Sequence, residues 1–145
     1  MKEQSGRSMI EVIGVLAIGV IMIAAAYNMY KSIDQRQKRL IASETIAEVA
    51  KKTKVLYEFS GYKNVSLSAL KTKGAISDTR APIGSGWSVN SENNGSEFSI
   101  KLTGLNYDEC KYFSIKKADW AQSVKANSSN SCGKSSNNTI TFMVK

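Results

Sequence analysis

Few residues in this 145-residue chain are equipped for chemistry. It has no histidine, the commonest general base and metal ligand, and its two cysteines, Cys110 and Cys132, are too few for a thiolate-only zinc or iron-sulfur site. No nucleophile with its base, phosphate loop or ligand cluster can be assembled from what remains, so neither an enzyme nor a metal or cofactor is expected. The cysteines read as one disulfide, which implies an oxidising compartment outside the cytoplasm. A redox pair is the alternative, and the wide spacing and missing histidine speak against it. The remaining residue of interest is Glu11. It stands in a stretch, residues 9–30, where 18 of 22 positions are apolar. An ionised carboxylate inside a membrane helix costs about 2.5 to 3.5 kcal/mol on insertion scales, so Glu11 needs a partner.

The element that carries Glu11 must be a membrane segment at some stage. Residues 12–27 run sixteen positions without a charge, and at about 1.5 Å per residue such a helix reaches across most of a bilayer core of roughly 30 Å. Three readings compete: a cleaved secretory signal, a permanent signal anchor, and a segment that waits in the membrane before becoming the core of an assembly. Lys2 and Arg7 before the run, and Ala24-Ala25-Ala26 within it, suit a secretory signal. Against that stand Glu11 at the front of the run and helical patterning that continues past Ala26 without turn residues. The local sequence supplies no basic partner for Glu11 except upstream. If the chain were cut after Gly6, a neighbouring copy shifted along the axis would present its new α-amine to this carboxylate, which would then set the register of the assembly. A helix-start acid complementing the macrodipole is the plainer alternative, worth about 0.3 to 1 kcal/mol.

Gly6-Arg7-Ser8-Met9-Ile10-Glu11, followed by the apolar run, resembles the cleavage and N-methylation motif of the type IV pilin superfamily. The resemblance implies a leader over 1–6 cleaved after Gly6 by a prepilin peptidase, N-methylation of Arg7, and a role for Glu11 in assembly. It further implies inner-membrane assembly machinery as a partner, with the chain held in the bacterial inner membrane before it joins an extracellular filament.

Beyond the apolar segment, residues 7–30, the pattern becomes striped. Ile33, Leu40, Ile46, Val49, Ala50, Leu56 and Phe59 recur at three- and four-residue spacing between charges, predicting an amphipathic continuation over 31–60. No proline precedes Pro82, and Ser60-Gly61 is the first stop signal. One long helix is expected over 8–59, its apolar half protruding from a head built of residues 61–145. Gly14 and Gly19 serve either close helix packing or are ordinary membrane-helix composition.

In the head, a short helix over 66–73 is expected to stop at Gly74. Strands are expected at 86–89, 98–103 and 139–144, giving an antiparallel sheet of about three strands with a hairpin at Asn93-Asn94-Gly95-Ser96. Asn106 and Glu109 form a capping-box pair that opens a helix carrying Cys110. The loop 110–132 ends in a polar stretch, 127–138, that would fray without the disulfide. The fold class is therefore α+β. Residues 98–110, a strand, then Gly104-Leu105, then a capped helix with Cys110, resemble the C-terminal disulfide region of type IVb pilins.

The net charge of +8 is spread over the chain, with no polybasic tail. Lys51, Lys52 and Lys54 read as a solvated helix face, which repetition in a filament would turn into weak attraction for DNA or acidic surfaces. These features lead to the expectation of a structural subunit that self-associates into a helical homopolymer. The alternatives are a minor pilin or pseudopilin of a secretion or DNA-uptake machine, and a membrane-anchored binding module that never polymerises.

Overall fold

In a computed structural model, residues 3–116 and 118–145 are described, with side chains from Ser8 onward. Of the expected cleavage pair, Gly6 and Arg7, only the helical backbone is described, and the Arg7 side chain lies outside the described residues. The chain divides into two compact units, Met1–Gln37 and Lys38–Lys145. Helix α1 (Glu3–Tyr57) contributes to both.

In the first unit the apolar residues of α1 stay in contact with solvent. Ile10 is 74% exposed, Val15 70% and Ile23 71%. The most apolar window of this helix has a mean hydropathy of 2.5, and by length and composition it can cross a membrane.

The second unit has its own core. Along residues 38–57, Ala42, Ile46, Val49, Ala50, Thr53 and Tyr57 are buried, at the three- and four-residue spacing that lines one face of a helix. Thr53 is tolerated there because its hydroxyl donates to the Val49 carbonyl at 2.7 Å. The helix ends at Tyr57, two residues before the expected Phe59, and Gly61 supplies the stop. Its N–H bonds the Tyr57 carbonyl at 3.0 Å, and its φ of +69° suits glycine. Helix α2 (Leu67–Thr72) is capped by Ser66, buries Leu70 and is followed by Gly74 at φ +74°.

The sheet has four antiparallel strands, not three, in the order β1-β2-β4-β3: β1 (Gly86–Glu92), β2 (Glu97–Leu105), β3 (Ser123–Ala126) and β4 (Asn138–Val144). β1 and β2 join through the expected hairpin at 93–95. Registers Val89↔Ile100 and Ile100↔Phe142 align the inward residues across three strands. The strand missing from the sequence reading is β3, a four-residue edge strand whose Val124 pairs with Phe142. Val124 is its only large apolar residue, so it carries no alternating pattern. Between β2 and β3, α3 (Tyr107–Ile115) opens with the expected capping box. The Asn106 side chain accepts from Glu109 N–H at 2.8 Å, and the Glu109 carboxylate accepts from Asn106 N–H at 2.9 Å. This helix buries Cys110 and Phe113 into the same cluster as Ile46, Ile100 and Phe142.

Candidate assembly helix and disulfide loop

Glu11 lies on α1 in the first unit, exposed, and no described residue pairs with it. Fourteen large apolar side chains between Met9 and Tyr30 are exposed with it. Single exposed apolar residues are ordinary, but a continuous surface of this extent needs lipid or protein to cover it. A Cβ added to Gly14 or Gly19 meets nothing within 4 Å. The chain's own packing therefore does not require these glycines.

Within the second unit, the Cys110–Cys132 disulfide is formed, as the cysteine count predicts. What the sequence reading missed is Asn138, buried at 1% exposure at the start of β4. Its Oδ1 accepts from Gly133 N–H at 2.7 Å and from the Asn127 amide at 2.9 Å. Its Nδ2 donates to the carbonyls of Ser135 at 2.7 Å, Gly133 at 2.9 Å and Leu105 at 3.2 Å. One side chain thus clasps both flanks of the polar loop and ties it to the end of β2. Asn127 contributes as well, adopting φ +50° and accepting from Thr139 N–H at 2.8 Å. Beside the disulfide, a buried amide network that the sequence did not reveal holds residues 127–138. A polar tract gives no periodic signal for such burial, and the sole hint was Asn at the boundary of an alternating strand.

Replacing Asn138 with Ala leaves several backbone groups without their partner. We expect a loss of about 2 to 3 kcal/mol and new protease cutting within 127–137, with the disulfide still formed. Denaturant midpoints and limited proteolysis of the full chain in detergent would measure both.

The basic face at 51–54 is partly neutralised. Lys52 lies 2.7 Å from Glu48, and its hydrogen bond and charge hold that carboxyl below its ordinary range. Lys73 sits over the Tyr57 ring at 4.0 Å. Tyr62 packs on Phe98 at 4.6 Å, and burial, aided by the Glu58 charge, raises its phenol above the ordinary value. Among the described residues, no three His, Cys, Asp or Glu side chains gather as a metal site would require.

No protein-family model matches the chain, and neither does any curated protein sequence.

Proposed function

We propose that the chain is a pilin, a structural subunit of an extracellular type IV pilus-like filament that polymerises through its N-terminal helix. The observation that carries this reading is Glu11, an exposed carboxylate without a described partner, at the front of an apolar stretch of α1 whose large side chains from Met9 to Tyr30 are exposed. Such a surface is covered by lipid while the chain waits in the inner membrane and by neighbouring copies after assembly. In lipid the carboxylate is a cost. In a bundle of copies the α-amine freed after Gly6 offsets it, which favours assembly over residence in the membrane and sets one axial register. Contacts between the front of one helix and a different part of the next are heterologous, and they generate an open filament when the rotation does not close. The two glycines, unneeded within the chain, suit close approach of neighbouring helices. The disulfide supports a head that functions outside the cytoplasm.

Intact-mass measurement of material sheared from the cell surface tests the processing step. The expected chain begins at Arg7, carries an N-methyl group and has its two cysteines oxidised. A chain beginning at Met1 or at Tyr27 would refute the prepilin reading.

A further inference from the structure

Arg39 is one of the charged residues on the amphipathic part of α1. Its Nε is buried, and among the described residues it has no hydrogen-bond partner. Arg39 lines an open hollow of about 510 Å³ together with Asp108, Lys111, Tyr112, Ile115 and Lys116 from α3 and its C-terminal cap. All six residues belong to the second unit. Three formal positive charges face one negative charge there, and a guanidinium beside two ammonium groups is a donor set that suits an oxyanion. Lys116 is already oriented, its Nζ donating to the Tyr112 hydroxyl at 3.1 Å.

We propose that this hollow is a binding site for a terminal phosphate group, taken either as free inorganic phosphate or from a lipid headgroup that ends in a phosphate monoester. A phosphate monoester carries about −1.5 to −2 charges at pH 7, which matches the net +2 of the lining better than a carboxylate does. The guanidinium fork and two ammonium groups supply the charge-assisted donors that its oxygens accept. A nucleic-acid strand fits less well. Among the residues that line the hollow only Tyr112 offers a ring on which a base could stack, and its hydroxyl is engaged by Lys116. The site does not depend on polymerisation.

The test uses the full chain in detergent, with thermal unfolding followed in inorganic phosphate and in acetate at matched ionic strength. Phosphate should raise the midpoint and acetate should not. Arg39→Gln and, separately, Lys111→Gln should each weaken the phosphate effect about tenfold, the loss of one charge-assisted hydrogen bond. Lys111 is exposed, so its variant tests the site without disturbing the core. Equal shifts in phosphate and acetate, no shift in either, or a phosphate shift unchanged in both variants would each overturn the proposal. So would tighter binding of an oligothymidine than of inorganic phosphate at equal phosphate concentration. Amine-reactive labelling of Lys111 and Lys116 then separates the sources. Protection in vesicles containing phosphatidate, but not in phosphatidylcholine alone, assigns the lipid headgroup. Protection by inorganic phosphate alone assigns the free ion, and protection by neither overturns the site.

Discussion

Replacing Glu11 with Ala is expected to abolish surface filaments while leaving more of the chain in the membrane. The two effects have one origin. In lipid the carboxylate costs about 2.5 to 3.5 kcal/mol, so its removal eases insertion and retention there. In the assembly its removal strands a buried amine at each subunit contact, a loss of about 3 to 5 kcal/mol. Each association step should then weaken by roughly two to four orders of magnitude. A growing filament repeats that step at every subunit, so polymer should fall below detection. Quantifying the chain in sheared and membrane fractions checks this, with the Cys110–Cys132 disulfide as a control for head folding. Glu11→Gln separates charge from shape, since it keeps the side-chain volume and should also fail. Normal filament yield from either variant would sink the charge-register mechanism.

The second large effect concerns the head. Cys110 and Cys132 are 22 positions apart, and closing a loop of that size stabilises the fold by about 3 to 3.5 kcal/mol on the chain-entropy estimate. Replacing both with Ser should therefore lower the thermal midpoint of the head by roughly 15 °C. The loop should not unravel in the native state, because the five hydrogen bonds of Asn138 remain. The doubly substituted chain should resist protease within 127–137 at low temperature, where Asn138→Ala does not. Near-ultraviolet circular dichroism on heating, with proteolysis at one low temperature, distinguishes the two clasps. Equal protease sensitivity in both variants would contradict the division of labour between disulfide and amide.

These outcomes also mark what sequence patterning could reach. The alternation at Phe98, Ile100 and Leu102, and again at Ile140, Phe142 and Val144, predicts strands because inward residues of a half-buried sheet recur every second position, and both strands are found. Asn106 and Glu109 predict a helix start because side-chain oxygen at the cap and carboxylate at the third position satisfy each other's backbone donors, and both bonds form. β1 extends three residues beyond the expected Val89, through Asn90, Ser91 and Glu92. Backbone pairing with β2 carries it through residues that have little strand signal of their own. β3 owes its place to pairing with β4, and Asn138 owes its place to the loop groups that it bonds and to the Leu105 carbonyl at the end of β2. Polar side chains that are buried for their hydrogen bonds leave no periodic trace. On the apolar stretch of α1, Glu11 was legible because a lone acid in an apolar run is costly. The copy that would satisfy it cannot be found in one chain.

The most direct measurement is a helical reconstruction of filaments sheared from cells that produce the wild-type chain. The account predicts a central bundle made of residues 9–30, heads with the Cys110–Cys132 loop outside, and the Glu11 carboxylate within hydrogen-bond reach of the Arg7 amine of a neighbouring copy. A filament whose core excludes this helix, or a chain recovered from the membrane only as a monomer, would contradict it.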